Sequence, residues 1–505
     1  MRTSSAYWAS LTLMMMSAAV QAQSYRDDIG YDDLVDRLGS TVPTGAGVTV
    51  MQVEAATGND SGNLPIWSPS SGPTSGTFSG VTFDFITSNS GRSSSTSAHA
   101  ISVGRLFYGN DALASGIGNV QVGNAIDWLT TDFLRVTQPT APAISRARVI
   151  NHSWVADLGV AAVNAEVLRR TDWLVQQDNV INVVGMNNGS ANRPLLGSSY
   201  NSIAVGMTNG NHARGSYDLS AVDGIYAAGR VRPDVVAPMT TTSGATPVVS
   251  SLAALLVETG HTGGVALSNG STANRAGDVI YNAERAETIK AAIMAGADRQ
   301  TNNLSTTAQI DDYRATGFAT ANGLDSRYGA GQVNASNSHQ IIAAGEQEAG
   351  SVLCGTAVQV CAGFDYVENF GGTGGSATEL TYTFTASDLH NQLSASLVWN
   401  LDVDAFSGAG GATLQNLGLS LYDETTGQQV GSSVSLIDNT QNLWFTLVSG
   451  RQYTISVFSL ESEGFDGSYA LAWNISASPV PLPPAFVLLL GGMLGLVPAL
   501  RRRQR

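Results

Sequence analysis

Two textures divide this chain, and the change between them constrains the fold more than any single residue. From about residue 45 to 345, short apolar runs alternate with helical stretches, among them Val160 to Gln177, where Val160, Val163, Val167 and Leu174 share one helical face. Buried strands alternating with such helices predict a mostly parallel sheet with helices on both sides, and sheets of that kind carry their active residues at strand carboxyl ends. From about 365 to 477 the pattern turns to short alternating strands separated by Gly, Asn and Asp turns: Glu379 to Thr385, Leu393 to Trp399, Leu417 to Tyr422, Leu443 to Val448, Tyr453 to Phe458 and Tyr469 to Ile475. This is a β-sandwich pattern. The 505 residues therefore divide into an α/β domain and a smaller all-β domain, with ample core for both.

Within the first part, residues 231 to 247 set one serine, Ser243, between a Pro-closed strand and an apolar helix running on through Val248, Leu252, Leu255 and Leu256. At the first turn of a helix, unpaired backbone N–H groups and the positive end of the dipole lie beside the serine, ready to stabilise an anion formed when its oxygen attacks a carbonyl. The competing use is a helix cap, which Thr242 or Thr246 would serve equally well.

Thr241-Thr242-Ser243-Gly244-Ala245-Thr246-Pro247 resembles the nucleophile motif of the subtilisin-like serine proteases, Gly-Thr-Ser-x-Ala-Thr-Pro, with only the leading glycine changed, and Arg232 to Pro238 resembles the strand and turn before it. A serine hydroxyl needs an imidazole to take its proton and a carboxylate to orient that imidazole, and the family order is acid, histidine, serine. Of six histidines, His99 lies between an early apolar strand and Ser243, at the head of a helical stretch. The family has His-Gly-Thr-His-Val-Ala-Gly there; this chain keeps the first His and Val103 but lacks the Gly, Thr and second His.

Gly45 to Glu54 reads as a glycine turn, then a short apolar strand ending in a carboxylate. It resembles Gly-x-Gly-Val-x-Val-x-x-Ile-Asp, which puts Glu54 on the aspartate position. Glutamate reaches one methylene further, so it needs another rotamer or a retreat of roughly 1 Å, and misplacement on that scale costs about 100-fold in rate. Glutamate serves in other Ser-His-acid hydrolases. Asp60 and Asp84 are spare carboxylates out of register, and the alternative for Glu54 is a solvated strand-end charge.

The run Asn182 to Gly189 resembles Ala-Ala-Gly-Asn-x-Gly, whose Asn side chain completes the oxyanion hole; the match is ambiguous by one place and Asn187 is the first choice, with turn asparagines as the plain alternative. Val149 to Trp154 resembles the strand whose edge pairs with extended substrate, which makes Ser153 and Trp154 candidate substrate-binding residues. His152, inside that strand, is a rival base with no acid beside it. Glu287 to Met294 and Tyr328 to Ala335 resemble later family segments, so the resemblance spans about 45 to 345. It implies a serine endopeptidase acting on peptide or protein through Glu54, His99 and Ser243. Two alternatives stay open: a degenerate, non-catalytic surface or matrix-binding protein, and a serine esterase.

The ends suggest export. Residues 1–22 read as a secretory signal peptide, followed by a short segment, 23–44, too brief for a folding propeptide. Residues 479–505 carry Val480-Pro481-Leu482-Pro483-Pro484, an apolar run and an arginine tip. They resemble the Pro-Glu-Pro-type C-terminal sorting signals, which implies an exosortase-type processing enzyme, transient membrane anchoring and a Gram-negative surface or matrix; a plain single-span anchor is the alternative. Without both ends the body holds 20 Lys+Arg against 40 Asp+Glu, which argues against nucleic-acid binding. The only two cysteines, Cys354 and Cys361, are expected to form a local disulfide in a linker at 346–364, before a sandwich at 365–478. That sandwich resembles bacterial pre-peptidase C-terminal domains, although a carbohydrate-binding sandwich has much the same pattern. Structural calcium accompanies many members of the protease family, but no ligand loop is specific enough to assign.

Overall fold

The computed structural model describes residues 25–477 except 87–89, 306–307, 354–360, 372–377, 405, 407–410 and 462–465. Seven strands, β1 (Val50–Glu54), β2 (Thr82–Phe85), β3 (Asn119–Asn124), β4 (Val149–His152), β5 (Ile181–Gly185), β6 (Ile203–Met207) and β7 (Val235–Ala237), form one sheet in the order β2-β3-β1-β4-β5-β6-β7. All its pairs are parallel. The chain leaves β1 for the β2–β3 edge and returns to its other side at β4, so β1 lies where the strand order reverses, the place where open α/β sheets bind ligands.

Alternation along β1 decides what each face receives. Val50 joins the apolar cluster that contains Val248, Leu252 and Leu255 of helix α4 (Thr242–Gly263), whereas Met51 and Val53 join Val167 and Leu168 of α3 (Ala161–Asp178) on the opposite face. Period two then places Gln52 and Glu54 on the α4 side, although every β1 residue is buried. Helix α2 (Ala98–Phe107) packs against α4 on that same side.

The segment 23–44 holds α1 (Tyr31–Leu38), which packs on α6 (Ala335–Ala343), where Arg37 donates to the Ser336 carbonyl at 3.3 Å. A small hairpin, β8 (Ser271–Ala273) and β9 (Val279–Tyr281), precedes α5 (Ala286–Gly296). The second domain is a pair of antiparallel four-stranded sheets. One runs β10-β19-β12-β17 and the other β11-β18-β15-β16, where β10 is Cys361–Gly371, β11 Glu379–Thr385, β12 Gln392–Val398, β15 Leu417–Asp423, β16 Gln428–Ser433, β17 Thr440–Thr446, β18 Gln452–Ser459 and β19 Asp466–Ser476. A two-residue pair, β13 (Asp402–Val403) and β14 (Ala412–Thr413), sits beside them. Leu397, Leu419, Ile455, Leu471 and Trp473 fill the space between the sheets.

Six sandwich strands fall within a few residues of expectation; β10 and β16 are additional, and β10 takes Cys361 into the sheet. Cys354 lies outside the described residues, as do the expected signal segment 1–22 and sorting segment 479–505. Among the described residues no helix is long and apolar enough to cross a membrane.

The two domains share one core. Every residue of α5 is buried, and α5 packs on β12 and β19. Ala362, Phe364, Tyr366, Val398, Ala470 and Ala472 of the sandwich join the same apolar cluster as Ile289, Ile293 and Ile341. Polar groups at the seam are also matched: the Asn201 amide accepts from Leu401 N at 2.7 Å and donates to its carbonyl at 3.1 Å, and Asn439 donates to the Tyr200 carbonyl at 3.1 Å.

Candidate active site

Glu54 ends β1 with its carboxylate fully buried, and Oε2 stands 2.8 Å from His99 Nδ1. The extra methylene of glutamate is thus accommodated without loss of contact. His99 is the second residue of α2, whose start is fixed by Ser97, the N-cap, accepting from Ala100 N at 3.2 Å. Burial pushes the Glu54 carboxyl above its ordinary range, opposed by the His99 and Gln52 hydrogen bonds. The hydrogen bond that His99 donates to Glu54 holds the imidazole above its usual value, with burial working against it.

Ser243 is the second residue of α4. The cap is Thr241, not Thr242 or Thr246: its hydroxyl accepts from Gly244 N at 3.1 Å. The Ser243 hydroxyl is therefore not spent on capping and sits half-buried at the positive end of a 22-residue helix. It donates to the Ser153 carbonyl at 3.3 Å, and no His99–Ser243 hydrogen bond is present among the described residues. Beside it, Leu106 of α2 approaches within 3.8 Å of the point where a Gly244 Cβ would stand, so the helices bearing His99 and Ser243 meet at this corner.

The two asparagines after β5 are used differently. Asn187 donates its amide NH₂ to the Ala191 carbonyl at 2.6 Å and so holds its own turn. Asn188 accepts through Oδ1 from Thr242 N at 3.0 Å and from Thr242 Oγ1 at 3.3 Å, directly at the start of α4. An amide whose oxygen is engaged has its NH₂ to offer, which is what an oxyanion requires.

Ser153 follows β4 and donates to the Ser243 carbonyl at 3.2 Å, so one candidate substrate residue touches the candidate nucleophile. Trp154 is buried in the α3-side core with its ring edge-on to His152 at 5.5 Å. His152 is fully buried between Trp128 and Trp154, bonds Asn182 Oδ1 at 2.9 Å, and is pushed down to about 3 by burial. These contacts give it a packing role. Asp60 closes a turn through Gly62 N and Leu64 N, and Asp84 lies at 3.4 Å from the Gln121 amide; neither bonds His99 among the described residues. No group of three or more His, Cys, Asp or Glu is gathered for a metal among the described residues.

Sequence reading passed over Gln52 and Tyr108. Gln52 Nε2 donates to Glu54 Oε1 at 2.7 Å, and Tyr108 Oη donates to Gln52 Oε1. The available signal was a polar residue inside an otherwise apolar strand, two places before the acid and hence on its face.

No protein-family model matches this chain, and no curated protein matches it. Among solved structures it has distant similarity to proteases from Pseudoalteromonas arctica (14% identity, 63% of this chain and 96% of that one, TM-score 0.34). It is likewise similar to the MycP3 protease from the type VII (ESX-3) secretion system (13%, 61% and 86%, TM-score 0.32) and to tripeptidyl peptidase 2 (11%, 77% and 41%, TM-score 0.26).

Proposed function

We propose that this chain is an exported serine endopeptidase working through Glu54, His99 and Ser243. The observation that carries the reading is the 2.8 Å Glu54–His99 pair at the carboxyl edge of the sheet, on the helix that packs beside the Ser243 end of α4. Ser243 Oγ attacks the peptide carbonyl carbon as His99 Nε2 takes its proton, and Glu54 holds the Nδ1–H and stabilises the imidazolium. The proton passes to the leaving amine, and water then resolves the acyl-enzyme by the same path in reverse. Ser243 N–H and the Asn188 amide stabilise the oxyanion in this account, with Asn187 shaping the turn that presents Asn188. Extended substrate pairs with the main chain at Ser153 and Trp154, the Trp154 ring itself being buried in the core.

Export, processing of residues 479–505 by an exosortase-type enzyme, residence at the surface or matrix of a Gram-negative bacterium and a Cys354–Cys361 disulfide belong to the same proposal. A second reading, a non-catalytic peptide- or matrix-binding protein, is favoured by one observation: Ser243 bonds Ser153 rather than His99. Catalytic hydrogen bonds often tighten only in the substrate complex, so labelling by a fluorophosphonate separates the two readings. An ester-against-peptide substrate panel then separates peptidase from esterase.

A further inference from the structure

We propose that Gln52 and Tyr108 are positioning residues that let a glutamate serve where a shorter acid would otherwise be needed; this rests on the catalytic reading above. A glutamate has one more rotatable bond than an aspartate, so its carboxylate needs restraint to stay within the fraction of an ångström that catalysis demands. Gln52 supplies it. One Nε2 hydrogen goes to Glu54 Oε1 at 2.7 Å, leaving Oε2 for His99, while the other goes to the Ala100 carbonyl at 2.9 Å, one residue past His99. A single amide thus sets the acid and its histidine helix against each other.

An amide can flip, and a flipped Gln52 would turn its oxygen on the carboxylate. The Ala100 carbonyl and the Glu54 carboxylate, which only accept, hold the NH₂ in place, and Tyr108 completes the arrangement by donating its hydroxyl to Gln52 Oε1. The phenol reaches that place because α2 carries no side chain at Gly104: a Cβ there would stand 2.5 Å from Tyr108 Oη and 2.8 Å from Cζ. Glycine is unfavourable in a helix interior, and here its absent side chain makes room for the bond. Gln52, Glu54 and Tyr108 are all buried, so water does not substitute for these donors.

The test uses the full chain as wild type, Gln52→Met, which keeps length and loses the donor, and Tyr108→Phe, which keeps the ring. The second-order rate of fluorophosphonate labelling is measured from pH 5 to 9, with the low-field proton resonance of His99 Nδ1–H followed by NMR. Gln52→Met is expected to lower the rate roughly 10–100-fold and to move the acid limb of the profile upward, because losing a donor further disfavours the Glu54 anion. Its Nδ1–H resonance shifts upfield or broadens away. Tyr108→Phe gives a smaller change in the same direction, roughly 3–10-fold, of the size expected for one buried hydrogen bond. An unchanged rate, profile and resonance in both folded variants overturns the proposal. Failure of wild type to label overturns the enzyme reading instead, and the NMR signal still reports on whether Gln52 holds the Glu54–His99 pair.

Discussion

Ser153 and Ser243 clasp each other: the Ser153 hydroxyl donates to the Ser243 carbonyl at 3.2 Å, and the Ser243 hydroxyl donates to the Ser153 carbonyl at 3.3 Å. The first bond exists because of Pro247. Four residues after Ser243 in α4, it has no N–H to give, so the Ser243 carbonyl lacks its helical partner and takes Ser153 instead. Ser153→Ala leaves that carbonyl short of a donor. It should cost about 1 kcal/mol in stability and slow fluorophosphonate labelling only a few-fold, because the Ser243 hydroxyl itself is untouched. Thermal unfolding and labelling rates of this one variant check both parts.

Glu54 fits its setting through bonds to both His99 and Gln52, so the apparently conservative change should be damaging. Glu54→Asp withdraws the carboxylate from both His99 and Gln52 and should slow labelling roughly 10–100-fold. Glu54→Gln keeps the shape but removes the charge that supports the imidazolium, with a loss approaching about 10,000-fold. Equal rates for wild type and Glu54→Asp would show that the carboxylate position is not critical.

The two neighbouring asparagines separate cleanly. Asn188→Ala should lower turnover of a peptide substrate about 100–1,000-fold, the range for an oxyanion donor, whereas Asn187→Ala loses a turn bond to Ala191 and changes the rate only a few-fold. Steady-state kinetics of the pair decide which amide faces the oxyanion.

Because the two domains share one apolar cluster across α5, β12 and β19, the sandwich supports the α/β domain. A chain ended at residue 345 exposes Ile289, Ile293 and Ile341 together and should lose cooperative thermal unfolding. A truncated chain that melts as sharply as the full one would show that the α/β domain stands alone.

Asp365, on the sandwich strand β10, gives the sandwich interior a pH dependence. It is buried, receives the Tyr382 hydroxyl at 2.7 Å, and is raised to about 7, chiefly by burial. Between the unfolded carboxyl value near 4 and about 7 the folded protein binds more protons than the unfolded chain, so this group's contribution falls as pH rises through that window. Melting temperature should therefore be higher at pH 5 than at pH 8 as far as Asp365 governs it, and Asp365→Asn should flatten the difference.

The fold class was legible because burial on both faces of a parallel sheet writes near-continuous apolar runs, while the sandwich writes alternation. That Glu54 and His99 lie side by side was legible for a related reason: each lies at the end of an element whose pattern fixes its place. Asn187 and Asn188 were not separable in the sequence because two adjacent turn asparagines differ only in which way each amide points. Gln52 and Tyr108 were missed because their partnership spans 56 residues, and only packing of α2 on β1 brings them together. The cap at Thr241 was missed because four neighbouring hydroxyl residues share one short stretch. Chain geometry, not composition, picks among them.

Everything proposed for this site turns on Ser243 acting as an activated nucleophile, so the decisive experiment is fluorophosphonate labelling of the full chain beside Ser243→Ala and His99→Ala. The account predicts stoichiometric label on wild type, none on Ser243→Ala and a rate reduced by several orders of magnitude on His99→Ala. A folded wild-type protein that takes no label, or one that labels equally without Ser243, would contradict it.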